Sequence, residues 1–420
     1  MSSACPVTLS LADPAVQQCP YPMYATLHRD APVYRDATMN LYLITRYEDV
    51  VAASLDWEAF SSEIDMRRDV AVADVSPSDE LYRREGWVVA DVLSQIDPPR
   101  HTIFRRIVDR LFTGPAVKRL HNYLDAHVCE LIDRFAARGE ADFLAEFALL
   151  LPIGVIADQL GLPRTAAADI KRWTDAYIES FNPTISAEHK LECTRRIIEF
   201  QKYFMGKRAE KMAEPAADLL SMLAVAERPD GARLSDEEYL ALCAQLMVAG
   251  NETTRNQLMA SMLMLIEDPA LQHRLRTNPG LIPRFIDESL RLESPAQGLY
   301  RRCTRDVTIG GTTIPAGAIV LLMFAAGNRD EQQFPNSAQL DLERPNAQRH
   351  LAFGHGIHSC IGRTLATAEL TIAVTRLLER LDNIRLRPGA GPMRYKPHFN
   401  MRALESLDIV FDTRSLAPNP

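Results

Sequence analysis

The chain has 420 residues, 47% of them hydrophobic and 24% charged, with a formal net charge of −8. This describes a globular chain able to bury a large core, and its interspersed acids and bases leave no nucleic-acid footprint. The seven cysteines are scattered, odd in number and without a CxxC pair, which argues against a disulfide framework or structural zinc and for a reducing cytoplasm.

In chain order, the opening MSSACPVTLSLADP lacks the basic and apolar regions of a signal peptide. Residues 1–20 are expected to be extended or poorly ordered. LYLITRYEDVVAAS (41–54) reads as a strand running into a helix, and 61–96 as a long charged loop carrying one short helix. From Asp97 to about Leu290 helical periodicity dominates, punctuated by Pro and Gly. The longest apolar run, FALLLPIGVIA (147–157), falls short of the ~20 residues that span a bilayer, so no membrane anchor is expected. Ser235 with Glu238 three residues on makes a capping-box start, and Asp268-Pro269 makes a stop. The helix between them, about 32 residues and roughly 48 Å long, is apolar nearly all round and is therefore expected at the centre. Between 300 and 325 the pattern alternates around Gly310-Gly311, the mark of a hairpin. A helix follows Cys360, and FNMRALESLDIVF (399–411) reads as a final β element. The fold class expected is mainly α with small β-sheets (α+β), in one domain over 1–420.

Two stretches stand out chemically. The middle of the long helix, AGNETT (249–254), places Gly250, Glu252 and Thr253 where the core should be driest. Glycine there costs about 1 kcal/mol relative to alanine, and a buried Glu252 needs neutralisation or hydrogen bonds. The second is HLAFGHGIHSCIGR (350–363). Cys360 precedes a helix, whose N–H groups and dipole can stabilise a thiolate. Gly354, Gly356 and Gly362 let the backbone lie close under a flat object, Phe353 offers an aromatic face, and His358 a donor to an anion.

FGHGIHSCIG (353–362) resembles the haem-thiolate signature of the cytochrome P450 family at Phe353, Gly354, Gly356, His358, Cys360 and Gly362. The likeness extends from about Tyr21 to Phe411. It implies a soluble haem-thiolate monooxygenase with a long helix over a buried haem b, Cys360 being the axial ligand of the iron and O2 the co-substrate. AGNETT is similar to the family's oxygen-activation motif. By that resemblance Gly250 and Ala249 give the haem room, Thr253 hydrogen-bonds dioxygen or a neighbouring water, and Glu252 relays protons from solvent. A local break in the helix ladder is expected there.

The likeness also implies a structural triad of Glu288, Arg291 and Arg344, and propionate partners at His101, Arg105, Arg301 and His358, with Arg302 the competitor of Arg301. Trp87, Val88, Phe181, Leu246, Ala296, Leu299, Phe399 and Met401 fall where the family lines its substrate pocket. A small or medium hydrophobic substrate is implied, as are a separate ferredoxin-type donor with its reductase and a monomer. Arg106, Arg110, Lys118, Arg119 and Arg363 are candidate docking residues for the donor. Two rivals are a peroxide-driven hydroxylase and a non-catalytic haem sensor or carrier. The Glu252-Thr253 pair argues against both.

Overall fold

The computed structural model describes residues 9–64, 77–110, 112–180, 185–398 and 400–414. The N-terminal part forms helices α1 (Pro14–Gln18) and α2 (Tyr21–Asp30), strands β1 (Val33–Asp36) and β2 (Leu41–Ile44), helix α3 (Tyr47–Leu55), strand β3 (Phe60–Ser61) and helix α4 (Pro77–Glu85). Residues 9–20 thus depart from the extended segment expected. Asp13 caps α1 by accepting from the Ala15 N–H, and Leu11 is buried against Met23, Tyr24 and Leu27.

The helical middle comprises α5 (Arg100–Asp109), α6 (Gly114–Ala136), α7 (Leu150–Gln159), α8 (Ala167–Ser180), α9 (Ala187–Ala213), α10 (Leu219–Ala224) and α11 (Asp236–Glu267). One strand interrupts it, β4 (Glu140–Asp142). Glu-Ala-Asp has no β propensity; pairing of Ala141 with Ile409 in the C-terminal strand imposes the conformation, so local pattern was blind to it.

The last third adds α12 (Pro269–Thr277), α13 (Ile282–Leu292), β5 (Leu299–Cys303), β6 (Val307–Ile309), β7 (Thr312–Ile314), β8 (Ile319–Leu322), α14 (Phe324–Gly327), α15 (Arg363–Arg380), β9 (Leu381–Leu386) and β10 (Asp408–Thr413). Gly310 and Gly311 both have positive φ, +55° and +77°, and close the β6–β7 hairpin. The larger sheet runs β1-β2-β8-β5-β3, and a second runs β4-β10-β9.

Helix α11 is the axis of the molecule. Its capping box is formed: Ser235 accepts from the Glu238 N–H and the Glu238 side chain accepts from the Ser235 N–H. Asp268 ends it and, through its side chain, accepts from the Leu271 N–H to start α12. Along 32 residues α11 packs on α7, α8, α13 and α15. Its first half joins an apolar cluster with α8 and α9, including Trp173, Phe200 and Phe204. Its second half joins another with α6, α13 and α15. Among the described residues no helix is long and apolar enough to cross a membrane.

Candidate active site

The polypeptide from Leu351 to Gly362 enters α15 through a tight loop. Gly354 and Gly356 adopt φ of +68° and +73°, open only to residues without a Cβ penalty. At Gly356 a Cβ would lie 2.4 Å from the Ser54 carbonyl oxygen, so α3 packs directly on this loop. The Cys360 N–H donates to the Phe353 carbonyl at 2.8 Å and holds the loop closed. Cys360 is exposed although protein packs closely around it. Burial pushes the thiol above its ordinary value, whereas the N–H groups of Gly362 and Arg363, with the charges of Arg105 and Arg363, pull it down. An electropositive, partly desolvated sulfur of this kind becomes a stable thiolate when a metal cation is its partner.

Around this loop converge four donors from three distant segments. His101 and His358 have ring centroids 4.4 Å apart. Burial, followed by the charges of His358 and Arg105, holds His101 down to about 4, so it is neutral at pH 7. His358 is hydrogen-bonded to Ser62 Oγ at 2.9 Å and lies 3.9 Å from Asp97. Burial raises the Asp97 carboxyl, but His358, Ser61 and the Ser62 N–H bring it below its usual range. Arg105 donates to the Ser359 carbonyl at 2.6 Å and to Asp109 at 2.6 Å, tying α5 to the cysteine loop. Arg301 is 5% exposed, donates to the Tyr300 carbonyl at 2.6 Å, and has no carboxylate within 4 Å among the described residues. Burial lowers its guanidinium to about 10, still protonated at neutral pH. A buried cation with unused donors is costly unless an anion completes it. Phe353 packs under the guanidinium of Arg363, 5.5 Å from its ring centre.

On α11 the AGNETT stretch behaves in part as expected. Ala249 and Gly250 are exposed in the middle of a helix whose neighbours are buried, and nothing lies within 4 Å of a Cβ built at Gly250. The expected break in the ladder is not found, since α11 is continuous through 249–254. One glycine is a small cost against packing on four helices, and the Thr253 hydroxyl donates back to the Ala249 carbonyl at 2.9 Å. Glu252 is not free either. It pairs with Arg255 one turn on and accepts from Asn256 at 3.4 Å. With Lys171, Thr174, Asp175 and Asn251 it borders a cavity of about 10 Å³, the room of a single water.

Glu288, Arg291 and Arg344 are brought together and buried, at 0%, 0% and 5% exposure. Arg291 uses all its donors, on both Glu288 oxygens (2.6 and 2.9 Å) and on the carbonyls of Asn328, Ser337 and Gln339. Arg344 Nε lies 3.1 Å from Glu288 without hydrogen-bond alignment, and its other nitrogens donate to Pro335, Asn336 and Gln339 carbonyls. Together they pin the irregular chain before the cysteine loop.

The pocket expectations fare worse. A cavity of about 300 Å³ opens between α4, the 89–95 segment, α8, α9 and the first half of α11, and it reaches Ala249. None of Trp87, Val88, Leu246, Ala296, Leu299 or Met401 lines it. Val88 is 53% exposed, Leu246 is buried in the apolar cluster, and Gln201 clamps the Trp87 backbone at N–H and carbonyl. Ala296 and Met401 pair with each other in an isolated bridge, and Leu299 pairs with Leu322 across the sheet. Phe181 and Phe399 lie outside the described residues. The lining instead mixes Tyr82, Tyr177, Ile197 and Val248 with Ser180, Lys190 and Thr194. Tyr177 and Ser180, and likewise Lys190, Thr194 and Ile197, recur at helical spacing, a signal present in the sequence but not distinguishable there from core.

Arg106, Arg110, Lys118, Arg119 and Arg363 are all exposed, and among the described residues none has a carboxylate within 4 Å.

The chain is similar to known proteins over most of its length. The family model described as Cytochrome P450 matches residues 165–279 and 280–400. Cytochrome P450 107B1 of Saccharopolyspora erythraea is 36% identical over 403 residues, covering 94% of this chain and 96% of the relative. The vitamin D(3) 25-hydroxylase of Pseudonocardia autotrophica is 33% identical over 411 residues, 95% of each chain. The solved structure of cytochrome P450 CYP109Q5 from Chondromyces apiculatus superposes with a TM-score of 0.85 at 31% identity, covering 97% of this chain and 99% of that one.

Proposed function

Because the chain belongs to the cytochrome P450 family of monooxygenases, which use haem b and O2, we propose that it oxidises a small or medium hydrophobic compound. We further propose that its electrons come from a separate ferredoxin-type protein. The single observation that carries the assignment of residues is the convergence of His101, Arg105, Arg301 and His358 around the Cys360 loop. These are donors from three segments beside one exposed sulfur.

Haem b, when bound, supplies the iron at which O2 is reduced and one oxygen atom is passed to substrate. The chain's own residues then have separable tasks. Cys360 supplies a thiolate, held by the N–H groups of Gly362 and Arg363. Arg301 and Arg105, with His101 and His358, receive the two carboxylates of the macrocycle, so that no buried cation is left uncompensated. Gly354, Gly356 and Gly362 on the loop, and Ala249 and Gly250 on α11, would leave room for its flat ring. Phe353 carries the Arg363 guanidinium over its ring beside the cysteine loop.

Thr253 holds a hydroxyl one turn on from the cavity-lining Ala249, satisfied at rest by the Ala249 carbonyl. A χ1 rotation would free that hydroxyl as a donor toward a bound haem's side of α11 without breaking the helix. Glu252 stands one residue before it on α11, with its carboxylate paired to Arg255 at rest. The one-water cavity beside it connects Glu252 toward the exposed Lys171–Asp175 pair. Glu288, Arg291 and Arg344 position the loop without touching substrate. A peroxide-driven enzyme or a non-catalytic haem protein has no need of this relay.

The substrate enters the 300 Å³ cavity and is read by shape more than by charge, its lining being largely apolar. The exposed cations Arg106, Arg110, Lys118, Arg119 and Arg363 suit an acidic electron donor docking on the cysteine side. As a reading of the whole chain, we infer one monomeric domain over 1–420 working in the cytoplasm.

The test is Thr253→Ala. We expect product formed per reductant consumed to fall about tenfold or more, with substrate binding retained. Unchanged coupling would overturn the role of Thr253. Electron-transfer rates that fall steeply with added salt support the donor site, and salt-independent rates contradict it.

A further inference from the structure

Helices α8 and α9, which wall the cavity, carry a second set of donor atoms remote from the cysteine loop. Glu179 sits on the last turn of α8, and His189 and Cys193 on the first two turns of α9. His189 Nε2 is 2.8 Å from Glu179 Oε2, and Cys193 Sγ is 3.7 Å from the same oxygen. One ligand atom from each of the three lies within 4.8 Å of the others. His189 and Cys193 are four residues apart and share a helix face. Ser186 caps α9 by accepting from the His189 N–H at 3.1 Å and so fixes where that face begins.

We propose that Glu179, His189 and Cys193 bind one zinc ion that joins the end of α8 to the start of α9. Carboxylate oxygen, imidazole nitrogen and thiolate sulfur are the donors zinc favours. With bonds of about 2.0–2.3 Å, tetrahedral coordination sets ligand atoms roughly 3.3–3.6 Å apart. The two separations above straddle that range, so rotamer adjustments of under about 1 Å seat the ion. Glu179 and ionised Cys193 together balance its charge. On binding, the Cys193 thiol proton leaves to solvent, the imidazole binds neutral, and water takes the fourth position.

An ordinary hydrogen bond is a weak account of the cluster. The His189 and Glu179 side chains are 43% and 45% exposed, where such a pair contributes little. Cys193, wholly buried at the margin of the apolar cluster, also aims its sulfur at that oxygen. The cysteine spacing in the sequence argued against zinc because it searches for ligands near one another along the chain, whereas this set is closed by a side chain from a second helix.

The position gives the ion a consequence. Each ligand adjoins a residue of the cavity wall: Ser180 follows Glu179, Lys190 follows His189, and Thr194 follows Cys193. Zinc therefore fixes the separation of the two walls and alters the fit of a hydrophobic ligand between them.

The experiment uses the full-length, haem-loaded protein, stripped with a chelator and titrated calorimetrically with zinc sulfate alone. The expected result is one saturable equivalent, weakened about tenfold or more in His189→Gln and in Cys193→Ser. The carbon monoxide spectrum should remain that of the wild type in both variants, which reports an intact fold and cysteine loop. His189→Gln is decisive should the buried Cys193 variant fold poorly. Absence of a saturable equivalent, or unchanged affinity in His189→Gln, would overturn the proposal. The binding readout needs no turnover, so it stands or falls separately from the oxidation assigned above.

Discussion

The two sides of helix α11 are held by opposite means. Toward Cys360 the chain is fastened by polar networks: every donor of the fully buried Arg291 is used, and Arg105, His358 and Asp97 tie α5 and β3 to the loop. Toward the cavity the walls stand on apolar contacts, such as Trp173 against Phe200 and Phe204, and on isolated links such as Gln201 with the Trp87 backbone. Directional bonds define one geometry, whereas aromatic packing tolerates displacement. The side that must hold one atom in place uses the former, and the side that must admit a molecule uses the latter.

The sharpest way to break that contrast is Glu288→Gln. It leaves two buried guanidinium groups uncompensated, and the holoprotein should lose about 3–5 kcal/mol, read from its denaturant midpoint. A loss below about 1 kcal/mol would show that the network does not define the loop. Gly356→Ala comes next, since it combines a positive φ with a Cβ 2.4 Å from the Ser54 carbonyl. It should cost about 1–3 kcal/mol in the same measurement.

A third test uses Glu369 on α15, buried with one oxygen unpartnered and raised by burial to about 8. Its folded value lies above the unfolded 4.5, so the native state holds a proton that the unfolded chain releases. Its contribution to stability is therefore present below about pH 4.5 and lost as pH rises through about 8. Over that window the wild type should lose about 1.4 kcal/mol per pH unit more than Glu369→Gln, whose side chain does not titrate. Parallel curves would refute it. The smallest effect is expected on the cavity side. Lys190→Ala should change stability by under about 0.5 kcal/mol while shifting the affinity for hydrophobic ligands.

The same division explains what was legible in the sequence. The cysteine loop was readable because Phe353, three glycines, His358 and Cys360 fall within ten residues and each answers to backbone or donor geometry. The boundaries of α11 were readable because capping is local, Ser235 with Glu238 and then Asp268. Asp97, Ser61 and Ser62, which orient His358, went unassigned, since their value appears only when β3 reaches the loop across the fold. Arg255 hid the resting state of Glu252 for a related reason: an i,i+3 pair on a core helix reads as ordinary. Which residues of α8 and α9 face a cavity was not legible, because that depends on how each helix is rotated by packing. A cavity-facing Tyr177 and a core-facing Trp173 have the same periodicity.

One measurement bears most directly on the whole account: the absorption spectrum of the purified, haem-loaded protein, reduced under carbon monoxide, beside that of Cys360→Ser. The account predicts the long-wavelength Soret band of thiolate ligation in the wild type and its loss in the variant. An undenatured wild type showing only the shorter-wavelength band of imidazole ligation, or a variant with an unaltered spectrum, would contradict it.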